Sequence, residues 1–135
     1  MALQYSVAVR NAQLDTVEST IGTSAILEIR TGSPPANCAA ADSGSVLATF
    51  NLPSDWMAAA SSGSKAKAGT WQDTSADGAG TAGHFRVKDS GGTVTGIQGT
   101  VTATGGGGDM TLDNAVIAAG QQVTINSFTL SAGNA

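Results

Sequence analysis

The chain has one cysteine, one histidine, six basic residues and few aromatics, and each scarcity removes a class of function. The lone Cys38 cannot close an intrachain disulfide, so no secreted disulfide framework is expected. Six Lys and Arg against ten Asp and Glu, a net charge of −4, argue against nucleic acid as a principal partner. No apolar run approaches the ~20 residues of a membrane-spanning helix, and no membrane partner is expected. The opening MALQYSVAVRN lacks a basic head followed by an apolar stretch, so folding in a cytoplasm is the expectation. Bulky side chains are scarce too: Leu, Ile, Val and Phe together number 25 of 135 residues. That fraction borders on disorder where net charge is high. Here the charge is low and the apolar residues alternate cleanly, which argues for a single folded domain over 1–135 with a lean core. A thin core and surfaces of Ala, Gly, Ser and Thr suit a member of an assembly, and a homo-oligomer is expected.

What is present is organised around residues 82–103, AGHFRVKDSGGTVTGIQGTVTA, which read as a β-hairpin turning at Ser90-Gly91-Gly92. Phe85 and Val87 point to one face, with His84, Arg86 and Lys88 on the other. Ile97 and Val101 join Phe85 and Val87 as core. Before the hairpin, Val7, Arg10, Leu14, Val17 and Ile21 recur at helical spacing, predicting a helix over 6–21 capped by Ser6 and Gly22. Its acidic Asp15 and Glu18 fall late, on the wrong side of the macrodipole. Strands are predicted from Ser24 to Thr31, Val46 to Leu52 and Lys65 to Asp73, with a Pro-containing loop over 32–44. Residues 54–60 fit either a turn of helix or a short edge strand. Met110–Ala118 and Gln122–Leu130 supply the remaining strands, the last with a bulge near Asn126-Ser127. This pattern predicts an all-β fold, an antiparallel β-sandwich or jelly roll of about seven to eight strands with one N-terminal helix.

Tests for chemistry return little. The glycines at 105–108 lack the Lys-Ser/Thr of a phosphate loop and read as a mobile or closely approached loop. Asp73 to Gly78 resembles the first half of a calcium loop, but His84 stands where the closing carboxylate belongs, so an ordinary Asx turn is expected. His84 has no nucleophile and carboxylate fixed beside it by spacing, and Cys38 has no cationic neighbour in sequence. No catalytic residue, cofactor or metal ligand is therefore assigned. Arg86 and Lys88, with His84, form a basic stripe expected on the solvent face, and Trp71 is expected to share the face of Lys65 and Lys67. Trp71 or Trp56 could anchor an interface or stack on a sugar.

Six blocks carry a resemblance: VRNAQLDTVESTIG (9–22), AILEIRTGSPPANCAA (25–40), VLATFNLPSDWM (46–57), GTWQDTSADGAGTAGHFRVKDSGG (69–92), IQGTVTATGGGGDMTLDN (97–114) and AAGQQVTINSFTL (118–130). In this order the chain resembles small virion proteins of tailed bacteriophages, a group loosely described as tail-fibre-like structural proteins. The resemblance implies a non-enzymatic virion part made in the host cytoplasm. Its expected partners are the major capsid protein or other virion proteins. A capsid decoration (cement) protein is the leading expectation, with a tail, baseplate or fibre component and a carbohydrate-binding host-attachment module as alternatives. The expected contact residues are Arg10, Trp71, His84, Arg86, Lys88, Gly106, Gly107 and Asp109.

Overall fold

The alternation at 25–31, 46–52 and 82–103 is realised as one sheet. The computed structural model describes residues 3–135 and runs α1 (Val7–Ile21), β1 (Ile26–Thr31), β2 (Val46–Asn51), β3 (Ser64–Ala66), β4 (Trp71–Asp73) and β5 (Gly80–Lys88). It continues through β6 (Thr95–Ala103), β7 (Met110–Leu112), β8 (Val116–Ile117), β9 (Val123–Ile125) and β10 (Thr129–Ser131). The chain is thus predominantly β with one helix. The main sheet has the order β2-β1-β5-β6-β7, with β8 added beside β5, while β3–β10 and β4–β9 form two small separate sheets.

Three expectations are corrected. The third strand, expected over 65–73, is broken into β3 and β4, and the two halves pair with different partners. The bulge expected near Asn126-Ser127 is a break of the same kind, because β9 pairs β4 and β10 pairs β3. The sheet is also mixed rather than antiparallel, since β6 and β7 run parallel, Val101 opposite Met110 and Ala103 opposite Leu112. A parallel return ordinarily needs a crossover of roughly a dozen residues. Residues 104–109 suffice here because β7 is short and the returning backbone hugs β6. A Cβ on Gly106 would lie 2.7 Å from Thr102 Cβ, and one on Gly108 would lie 2.9 Å from the Thr102 nitrogen. The Gly108 N–H donates to Thr102 Oγ1 at 3.0 Å. Of the two readings of the glycine run, close approach is the one realised.

The inner face of the sheet is a set of cross-strand rows. Phe50, Leu27, Val87 and Ile97 lie in one row, and Ala48, Ile29, Phe85 and Gly99 in the next. All but Ile97 are buried. Gly99 leaves room for the Phe85 ring, since a Cβ there would meet Phe85 Cε1 at 2.8 Å. Phe85 stands edge-on to Phe128 at 5.5 Å between centroids, Phe128 lies 5.7 Å from Trp71, and Trp71 lies 6.1 Å from Trp56. Four of the chain's six aromatics therefore form one chain of rings that joins the main sheet to the small ones. Trp71 is fully buried beneath the Lys67 ammonium, which sits 5.8 Å from its ring centre.

The helix forms as expected, with Ser6 Oγ accepting from the Val9 N–H and the Gly22 N–H bonding Glu18. Its stripe faces inward from Arg10 onward: Leu14 is buried, Arg10 and Val17 are half-buried, and Ile21 packs on the core against Gly96, while Val7 is exposed. Polar side chains add a second attachment. Glu18 accepts from the Met57 N–H, Asp15 from Ala60 and Asn11 from Gly63, while buried Lys65 bonds both Asp15 at 2.7 Å and Glu18 at 3.1 Å. The two acids that oppose the helix dipole thus serve as tertiary ligands for residues 57–65. Residues 54–60 contain no helical turn. Met57 bridges Lys67 and the Ala58 N–H donates to Ala66, the edge-strand alternative.

Candidate functional site: the roofed face of the central hairpin

The outer face of β1, β5 and β6 carries a second set of rows. Glu28, Arg86 and Gln98 lie side by side, as do Arg30, His84 and Thr100, and Lys88 stands between Ile26 and Thr95. The sequence expectation placed His84, Arg86 and Lys88 in solvent. They are 0%, 1% and 6% exposed. The reason is the loop over 32–44, which folds back as a roof. Its fit depends on Gly83, where a Cβ would lie 2.2 Å from the Gly32 carbonyl oxygen. Gly83→Ala is expected to lift this loop and cost about 1–3 kcal/mol. Urea unfolding checks this against Gly133→Ala, where nothing lies within 4 Å and no change is expected.

The roof is fastened by charge. Asp42 bonds Arg86, Lys88 at 2.6 Å and Arg30 at 3.1 Å, and Glu28 bonds Lys88 at 2.8 Å and Arg30 at 3.0 Å. Arg86 also donates to the carbonyls of Ala40, Asn37 and Cys38 at 3.1, 3.3 and 2.9 Å. Gln98 reaches the Pro35 carbonyl at 2.8 Å. His84 Nδ1 lies 2.9 Å from the Gly32 carbonyl, which can only accept, so this nitrogen carries the proton. Buried Arg86 Nε, His84 Nε2 and Gln98 Oε1 meet no partner. Cys38 presents its carbonyl to Arg86, and its thiol is free and half-buried.

These contacts shift two ionisations. The hydrogen bond from Lys88, helped by Arg86 and by the charge of Arg30, holds the Asp42 carboxyl below its ordinary 3.8 against the opposing effect of burial. Burial pushes the Lys88 ammonium down, but its bonds to Asp42 and Glu28 outweigh this and leave it above its ordinary 10.5. A depressed carboxyl stabilises fully above its unfolded pKa and loses that contribution as pH falls through the folded value. A raised ammonium stabilises fully below its unfolded pKa and loses that contribution as pH rises through the folded value. The network is therefore complete between about pH 4 and about pH 10.5. Urea midpoints are expected to fall as pH drops below about 4, with a shallower acid slope in Asp42→Asn.

The other expected contact residues do not converge on this face. Trp71 is core, its indole N–H bonded to the Ala68 carbonyl at 3.1 Å, which corrects the surface-anchor expectation. Arg10 lies on α1 against Gly63, where a Cβ would strike its guanidinium, and its buried Nε meets no partner. Gly106 and Gly107 are exposed. Asp109 accepts from the Thr100 N–H at 2.9 Å and its hydroxyl at 3.1 Å. Asp73 forms the expected Asx turn, taking the Ser75 N–H at 3.0 Å, and also ties Thr49, whose hydroxyl donates to Asp77. Among the described residues no group of three or more His, Cys, Asp or Glu is placed to hold a metal ion.

No family model matches this chain, and neither the curated proteins nor the solved structures yield a match. The site is therefore read from its own chemistry. Glu28, Arg30, Asp42 and Gln98 are the members that sequence reasoning missed. The i, i+2 placement of Glu28 and Arg30 on the outer face of β1 was the available signal, because it sets acid and base beside a basic neighbouring strand.

Proposed function

We propose that this chain is a non-enzymatic structural protein of a tailed-bacteriophage virion, a capsid decoration protein seated as a homo-oligomer on the major capsid lattice. The reading rests on the ordered sequence blocks and carries with it the sandwich or jelly-roll arrangement expected of them. One physical observation supports it most. Leu3, ahead of α1, and Val7 and Val9 in its first turn are 70%, 49% and 44% exposed, in a chain short of bulky apolar residues. Exposed apolar groups in a thin-cored protein suit a surface completed by a neighbour. The carbohydrate alternative has lost its stacking groups, since Trp56 and Trp71 are both fully buried.

Quantitative mass spectrometry of purified particles tests the reading. Decoration requires copies on the order of hundreds per particle, following the symmetry of the lattice. A handful of copies would move the protein to the tail, baseplate or fibre, and its absence from particles would overturn the virion reading.

A further inference from the structure

The roof leaves an opening. Between residues 38–42 and the turn joining β5 to β6 lies a cleft of about 530 Å³, lined by Arg86, Lys88, Asp42, Val94 and Thr95 among others. We propose that this cleft binds a carboxylate carried on an apolar stem, either a free acid or an acidic side chain of a neighbouring protein.

The charge balance makes the case. Arg30, Arg86 and Lys88, all nearly buried, face only two carboxylates, Glu28 and Asp42, which leaves one positive charge uncompensated. An unpaired charge held away from water is costly. Asp89, in the adjoining turn, does not answer it. Its half-buried carboxylate is turned into its own loop, accepting from the Thr93 N–H at 2.8 Å and the Val94 N–H at 3.3 Å.

Donors remain as well. The Lys88 ammonium has three N–H bonds, and Glu28 and Asp42 take two. The Nε of Arg86 also meets no acceptor but is itself shielded from solvent, so Lys88 is the donor for the cleft. One excess charge matches one monoanion, and Val94, 64% exposed at the rim, offers its stem an apolar wall. This inference is independent of the virion reading.

The test is thermal unfolding of the whole chain at pH 7, with sodium acetate replacing sodium chloride at constant ionic strength. The melting temperature is expected to rise by about 3 °C or more at about 0.2 M acetate, growing with the logarithm of acetate concentration. Thr95 stands opposite Lys88 in the β5–β6 register, so Thr95→Glu supplies the missing carboxylate from within. That variant is expected to melt higher in chloride and to lose the acetate response. Lys88→Met removes the excess charge and is expected to lose the response too, and it decides the matter alone if Thr95→Glu does not fold. No acetate response in the native chain, or an equal response in native protein and Lys88→Met, overturns the proposal. Sedimentation velocity separates the sources. Self-association dispersed by acetate and by Thr95→Glu identifies a second copy as the donor, whereas a monomer that responds to acetate takes the carboxylate from a free acid or another protein.

Discussion

Replacing Asp42 with alanine is expected to destabilise the fold by about 3 kcal/mol, a fall in melting temperature of roughly 10 °C. The substitution leaves Arg30, Arg86 and Lys88 with Glu28 as their only carboxylate. Arg86, 1% exposed, keeps the loop carbonyls but loses its anionic partner. Breaking a buried pair from one side typically costs ~3–5 kcal/mol, because a charge is left without compensation. The lower end applies here because the Asp42 side chain is 34% exposed and water reaches it. Chemical denaturation of Asp42→Ala beside Asp89→Ala checks the argument. Both remove a loop carboxylate, but Asp89 bonds only its own turn and is expected to cost distinctly less. Equal losses would mean that the roof is not fastened by charge.

Trp71→Ala carries the other large effect, about 3–5 kcal/mol, which is comparable to the whole stability of a marginal domain. Trp71 is fully buried and stands between Trp56 and Phe128, so its removal breaks the line of rings joining the main sheet to the small sheets. With only 25 Leu, Ile, Val and Phe in the chain, few side chains are available to refill the space. Trp71→Phe keeps part of the volume and is expected to retain a cooperative transition at lower temperature. Urea unfolding followed by far-ultraviolet circular dichroism reads both variants. A loss below about 1 kcal/mol for Trp71→Ala would show that the aromatic line does not organise the core.

The elements legible in the sequence are those with a local signal. The capped helix, the alternation of β1 and β2 and the inner face of the hairpin all follow from residue spacing within one segment. The outer face does not. A row of His84, Arg86 and Lys88 alternating with Phe85 and Val87 has the pattern of a half-exposed strand, and only a distant loop reverses it. Asp42 is separated from Arg86 by more than forty positions, and nothing in either segment marks the other. The same holds for Lys65, whose partners Asp15 and Glu18 looked like poorly placed helix charges. The splitting of 65–73 and 122–130 was equally hidden, since each half finds its partner in the other broken segment. Of the candidate site, the sequence thus displayed the cations of β5 but neither Arg30 nor the carboxylates that pair with them.

The chain's one basic stripe is spent inside the molecule, and lysine reactivity tests this most directly. The chain has three lysines: Lys65 and Lys88 are buried and ion-paired, whereas Lys67 is half-buried and bonded only to the Gly69 carbonyl. Brief treatment of native protein at neutral pH with an amine-acylating reagent, read by peptide mass spectrometry, is expected to label Lys67 readily. Lys65 and Lys88 should remain protected until the chain is unfolded in urea. Labelling of Lys88 in the native protein at the rate of Lys67 would place the stripe in solvent and contradict the account.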